Sequence, residues 1–242
     1  MRRYAWRQAA IAGLALLLMA AVVRTAWTGA RTVMVDAQLK DAGRWLRGRV
    51  LVLDPGHGGD DPGAVVRGTL EKHLVLEIGL TLKRLLEEQG ATVVMTRDED
   101  VDLGGPIREE LGRRVALVGQ HGAHVYVSIH ANKDGCNCWG AQTFYQKDGM
   151  PAGQELALAI QNRLRKLTPT TRVALPANYF VLRTSPVAAA MVEVGFLTNA
   201  HEQGQLKDPA YQRTLATAMA LGLADFFRSQ VPEGRAEGGI GR

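Results

Sequence analysis

Val50-Leu51-Val52-Leu53-Asp54-Pro55-Gly56 opens with a continuous apolar run and stops in a turn triplet. That is the pattern of a strand buried on both faces. Outward from it the chain alternates. From Leu70 to Gln89, Leu74, Ile78, Leu82, Leu85 and Leu86 recur at three and four residues, which predicts an amphipathic helix closed by Gly90. Thr92–Thr96 reads as a second strand, Ile107–His121 as a helix, and Val125–Ile129 and Gln142–Gln146 as strands. Glu155–Leu167 follows as a helix, Tyr179–Leu182 as an extended segment, Ala189–Val194 as a buried strand and Tyr211–Arg228 as a closing helix. Such alternation predicts an α/β fold: one domain with a mixed, mostly parallel sheet flanked by helices on both faces.

The 242 residues are 46% hydrophobic and 22% charged, which excludes disorder, and the 27 Gly and nine Pro show no regular spacing. A net charge of +5 raises nucleic acid as a partner until the charge is located. Residues 1–49 hold nine Lys/Arg against Asp36 and Asp41, a net +7, and the remainder holds 20 basic against 22 acidic residues, a net −2. The body is not basic, so no nucleic-acid partner is expected.

The basic arm has the layout of a targeting segment. Arg2, Arg3 and Arg7 precede an uncharged, mostly apolar stretch from Gln8 to Val23, bracketed by Trp6 and Trp27. Ala9–Val23 as a helix spans roughly 22 Å against a hydrocarbon core of ~30 Å. An uncleaved signal-anchor is the preferred reading, with a cleaved signal peptide and a buried soluble helix as alternatives. Both leading readings place the body outside the cytoplasm, membrane-anchored or, after cleavage, secreted. The expected organisation is a basic apolar arm over 1–31, a linker over 32–48, the domain over 49–229 and a flexible tail over 230–242.

Four polar residues stand where the pattern pushes them inward. His57 lies in the glycine-rich turn after the first strand, where the backbone approaches a ligand closely. Glu71, in the first turn of its helix, shares the face of Leu74, Val75 and Ile78. His130 ends the Val125–Ile129 strand on the face of Tyr126 and Ser128, and Glu193 is the sole charge among the Ala, Met and Val of its strand. Singly, each has a plain reading: a loop histidine, a helix-dipole glutamate, a satisfied core histidine, a partnered carboxylate. Together they fall near the C-terminal ends of strands or the start of the following helix, the edge where open α/β sheets bind ligands. Two histidines and a glutamate make the ligand set of a catalytic zinc, and a fourth carboxylate is what a hydrolase needs as base.

Two other features carry less. Cys136 and Cys138 read as plain thiols, with a bond between them or to another chain as alternatives, and as a zinc pair they lack two further ligands nearby. Asp98-Glu99-Asp100-Val101-Asp102, with Glu109 at the twelfth position, resembles a calcium loop in spacing, but Leu103 stands where the sixth position needs glycine.

Val50–Gly59, then Leu70-Glu71-Lys72, then Val127-Ser128-Ile129-His130-Ala131-Asn132, then Val192–Asn199 resemble, in order, the four signature blocks of zinc-dependent N-acetylmuramoyl-L-alanine amidases. The resemblance runs from about Arg49 to Phe227 and includes Thr96-Arg97-Asp98. It implies that His57, Glu71 and His130 bind zinc, that Glu193 is the catalytic carboxylate, and that the substrate is the amide between N-acetylmuramic acid and L-alanine in peptidoglycan. Trp139–Tyr145 and the single membrane-directed arm look most like the germination-specific amidases that act on spore cortex, some relatives of which need an accessory protein. Asn132 and Arg183 are candidates for binding substrate, the latter through a stem-peptide carboxylate. A vegetative wall amidase, another zinc amidohydrolase or peptidase acting on wall peptides, and a non-catalytic wall-binding protein are the competing readings.

Overall fold

The computed structural model describes residues 2–136 and 138–231, and in the first helix it describes the backbone alone at residues 2–15, 17, 26–28, 31 and 32. The chain divides into two units, residues 1–41 and 42–242. The first is helical: α1 runs from Arg2 to Leu46. Most of the segment expected as a linker, 32–48, is therefore helical. Met34–Leu46 contains no proline and one glycine, Gly43, and the burial of Ala42 and Leu46, four residues apart, favours continuing the helix. Among the described residues no helix is long and apolar enough to cross a membrane. The side chains of Arg2, Arg3, Trp6, Arg7 and Trp27, on which the targeting expectation rests, lie outside the described residues, as does the tail over 232–242.

The second unit carries β1 (Val50–Pro55), a hairpin of β2 (Val65–Val66) and β3 (Thr69–Leu70), α2 (Glu71–Glu88), β4 (Thr92–Met95), α3 (Ile107–Gln120) and β5 (Val125–Asn132). It continues through β6 (Gln142–Gln146), α4 (Pro151–Leu167), β7 (Leu175–Ala177), α5 (Phe180–Thr184), β8 (Ala188–Phe196), α6 (Ala200–Leu206) and α7 (Pro209–Ser229). The six-stranded sheet has the order β4-β1-β5-β8-β6-β7. β4, β1, β5 and β8 are mutually parallel, β6 runs antiparallel to β8, and β7 is parallel to β6. The mixed, mostly parallel sheet expected from the alternation is what forms.

Strand alternation divides the core. Val52, Tyr126, Ala189 and Met191 pack with Val115 and Val118 of α3 and Val181 and Leu182 of α5. The alternate residues, among them Leu51, Leu53, Val127 and Val192, are fully buried toward the opposite face, which α2 and α4 cover, with α7 packed against both helices. Tyr179–Leu182 corrects the extended segment expected there. Tyr179 keeps an extended backbone as the helix cap, but one turn of α5 buries Val181 and Leu182 while leaving Arg183 and Thr184 exposed. Tertiary packing overrides the local preference of these β-prone residues.

Candidate metal centre and cleft

Parallel register sets the site. Asp54 in β1 pairs with Ser128 in β5, and His130 in β5 pairs with Glu193 in β8, so the two site residues stand side by side. A register shift between His130 and Asn132 bends β5 immediately beyond. His57 follows β1 with φ 63°, a left-handed conformation unusual for a non-glycine residue. Gly56 permits the close approach: a Cβ there would lie 2.1 Å from His130 Cε1.

Glu71, at the start of α2, points inward with Leu74, Val75 and Ile78, as its helical face predicts. Its Oε1 lies 3.1 Å from His57 Nε2 and 3.0 Å from His130 Nδ1. The Ala131 N–H donates to Oε1 at 3.0 Å and the Ala64 N–H to Oε2 at 2.8 Å. Burial opposes the charge on Glu71, but the bonds to His130 and His57 outweigh it and hold the carboxyl well below the usual range. Burial likewise opposes protonation of His57, whose pKa Glu71 and Asp61 nonetheless raise to about 9. One donor atom from each of His57, Glu71 and His130 lies within 4.8 Å of the others. Two imidazoles and a carboxylate from three separate elements fit a zinc ion with room for water or substrate.

Glu193 differs in kind. Its Oε2 is buried with no hydrogen-bond partner among the described residues. Burial pushes its pKa up to about 7. It lines a cleft of about 230 Å³ together with His57 and His130; Ile107, Leu111, Phe180, Val181 and Met191 supply the apolar part of the lining, and Asp54, Glu110 and Arg114 also border it.

Bordering the cleft is a buried polar network that the residue pattern did not announce. Asp54 accepts from Arg114 Nη1 at 2.8 Å, Thr96 Oγ1 at 2.7 Å, Tyr126 Oη at 2.5 Å and Ser128 Oγ at 2.8 Å. Arg114 also pairs with Glu110 and donates to the carbonyls of Pro55 and His57. Asp61, likewise unforeseen, sits 2.6 Å from His57 Nδ1. Its one signal was a carboxylate four residues after a glycine-flanked histidine.

The weaker candidates lie elsewhere. Arg183 is exposed in α5, donates to Asn178 Oδ1 at 2.6 Å, and is not among the residues lining the cleft. Asn132 ends β5, and its carbonyl accepts the Leu197 N–H at 2.9 Å. Asp100, from the acidic loop, bonds Lys72 Nζ at 2.8 Å and His73 at 3.1 Å. The expected thiols are corrected: Cys136 Sγ and Cys138 Sγ are bonded to each other. Asp134 is close to both sulfurs, but the disulfide removes them as metal donors.

Known proteins resemble this chain in sequence and in fold. The germination-specific N-acetylmuramoyl-L-alanine amidase of Bacillus subtilis is 38% identical over 193 residues, covering 75% of this chain and 81% of its own. The CwlD amidase of Clostridioides difficile, solved in complex with the GerS lipoprotein, superposes with a TM-score of 0.71 at 32% identity, over 75% of this chain and 100% of that one. The catalytic domain of CwlV, an N-acetylmuramoyl-L-alanine amidase from Bacillus (Paenibacillus) polymyxa var. colistinus, gives 0.68 at 32% identity, over 74% and 98%. Residues 51–225, from β1 through most of α7, match the N-acetylmuramoyl-L-alanine amidase family over the whole span that builds the sheet and the cleft. The chain therefore belongs to the N-acetylmuramoyl-L-alanine amidase family and is an enzyme of peptidoglycan amide hydrolysis.

Proposed function

We propose that the enzyme is zinc-dependent and removes stem peptides from spore-cortex peptidoglycan, with His57, Glu71 and His130 holding the ion and Glu193 as the catalytic carboxylate. The observation that carries this reading is the buried Oε2 of Glu193, without a hydrogen-bond partner among the described residues, in the same cleft as His57 and His130, whose rings converge with Glu71. When bound there, zinc supplies polarisation of the amide carbonyl and lowers the pKa of a water toward ~7.

The protein's own groups supply the rest. Asp61, against Nδ1 of His57, fixes the imidazole tautomer and leaves Nε2 as the donor. Glu193, raised to about 7 by burial, is matched to accept the proton of the attacking water at neutral pH and to return it to the leaving L-alanine nitrogen. The apolar lining from Ile107, Phe180, Val181 and Met191 limits solvation of that carboxylate.

Cortex as the substrate is supported by the 38% identity to a germination-specific amidase. An accessory protein belongs to the same reading, since the similar CwlD amidase is seen with a lipoprotein. The basic apolar arm would deliver the domain outside the cytoplasm, anchored to the membrane or secreted after cleavage. Retention of the chain in the membrane pellet on alkaline carbonate extraction is the expected result, and full release refutes the anchor.

The test of the chemistry is Glu193→Ala. The variant keeps the zinc content of the parent, while release of new L-alanine amino termini from peptidoglycan falls by about 10²–10⁴-fold, the usual loss with a general base. Undiminished turnover removes Glu193 from the mechanism. Parallel digestion of cortex and vegetative peptidoglycan tests the substrate, and a preference for the vegetative polymer overturns the cortex role.

A further inference from the structure

We propose that Arg97 is a positioning residue of the metal centre, tying the backbone that carries His57 to the backbone that carries Glu71. This rests on the ligand set proposed above. Arg97 follows β4 by two residues and is only 3% exposed. All its hydrogen bonds run to main-chain carbonyls. Nε donates to Pro55 O at 2.9 Å and Nη1 to Glu99 O at 3.1 Å. Nη2 donates twice, to Gly56 O at 2.8 Å and to Lys72 O at 2.7 Å. Those two carbonyls immediately precede His57 and immediately follow Glu71.

A buried guanidinium is ordinarily matched by a carboxylate, because an unpaired internal charge is costly. Among the described residues none forms an ion pair with Arg97, whereas the neighbouring Arg114 pairs with both Asp54 and Glu110. The cation is therefore spent on fixing backbone. The loop it holds has intrinsic reason to drift, since His57 sits at φ 63° and Gly58 and Gly59 follow at φ 130° and 55°. Three donors from three elements bind a metal tightly only if they are held in place beforehand. A planar fork can bridge two carbonyls from one nitrogen while a second nitrogen grips Pro55, a geometry that the single ammonium of lysine does not reproduce.

The experiment uses the full chain and three variants: Arg97→Lys, Arg97→Met and, as a stability control remote from the cleft, Leu164→Ala in α4. Zinc affinity is measured by competition with a chromophoric chelator, and the visible absorption of the cobalt-loaded protein reports ligand geometry. Weakening of about 10–100-fold is expected in Arg97→Met, the range seen when groups supporting metal ligands are removed, with a smaller but clear loss in Arg97→Lys and an altered cobalt band in both. Leu164→Ala is expected to keep the parent's affinity and cobalt band. If Arg97→Met does not fold, Arg97→Lys, which retains the buried cation, decides alone. An Arg97→Lys affinity within twofold of the parent with an unchanged cobalt band overturns the proposal, as does an equal loss in Leu164→Ala. A parent chain that binds neither metal overturns the ligand set itself, and the role of Arg97 with it.

Discussion

Asp54→Asn tests the buried network bordering the cleft. The carboxylate is 2% exposed and accepts four hydrogen bonds, three from hydroxyls and one from Arg114. An amide presents an N–H₂ where one oxygen stood, so the hydroxyls on that side must turn from donating to accepting, and the Arg114 charge loses one of its two carboxylates. Removing one partner of a buried pair costs about 3–5 kcal/mol. Glu110 remains on Arg114, which places the loss near the lower limit, about 3 kcal/mol, or roughly 6–12 °C in Tm for a chain of this size. The pH dependence has a definite sign. Burial opposes ionisation of Asp54, but Arg114 and the hydroxyls outweigh it and lower its pKa in the folded state. The stabilisation is therefore complete above the unfolded pKa of about 3.9 and declines as pH falls below it. Urea denaturation followed by circular dichroism at pH 7 and at stepwise lower pH measures both effects. The parent and variant curves should converge toward acid. A loss below about 1 kcal/mol at pH 7, or a difference that does not shrink in acid, refutes the assignment of Asp54 as the charged hub of this network.

Other perturbations follow from close approaches. Gly56→Ala places a Cβ 2.1 Å from His130 Cε1, so the imidazole must move, and zinc content after dialysis should fall well below that of the parent; an unchanged content shows that the ring position is not critical. Gly222→Ala should destabilise by about 1–3 kcal/mol despite a helix-propensity gain of about 1 kcal/mol, because the new Cβ would lie 2.5 Å from Ile160 Cα where α7 meets α4; a raised Tm refutes this. The Cys136–Cys138 bond predicts no thiol titre before reduction and two thiols after it. Reduction should cost less than about 2 kcal/mol, since the bond closes a very short loop.

What was legible in the sequence depended on contrast. Glu71 and Glu193 were visible because each is a lone carboxylate in an otherwise apolar set, and His57 because glycines surround it. The strands β1, β5 and β8 were visible because burial on both faces makes them continuously apolar. Asp61, Arg97 and Arg114 gave no such contrast. They lie in loops or on a charged helix where polar residues are ordinary, and only the fold brings Arg97 under residues 55–56 and Arg114 under Asp54. α5 departs from the sequence expectation for the same kind of reason: Tyr179-Phe180-Val181-Leu182 has strand-like composition, and only its packing on α3 makes a helical turn the better burial. The run before β1 is mixed in composition and reads as a linker, and the absence of proline is what lets the helix continue through it to Leu46.

The two carboxylates of the cleft show how one environment can separate chemically identical groups. Glu71 and Glu193 both approach the histidines, and burial penalises the charge of both. Glu71 is met by two imidazoles and two main-chain N–H groups, which more than offset that penalty and keep it ionised, as a metal donor must be. Glu193 Oε2 is met by none of these, and burial, helped by the like charge of Glu71, outweighs the attraction of the His130 and His57 rings and raises its pKa to about 7. Supplying Glu193 with a donor would lower its pKa and weaken it as a proton acceptor, while stripping donors from Glu71 would raise its pKa and set a proton in competition with the metal. The division of labour between binding an ion and moving a proton thus follows from where hydrogen bonds are provided and where they are withheld.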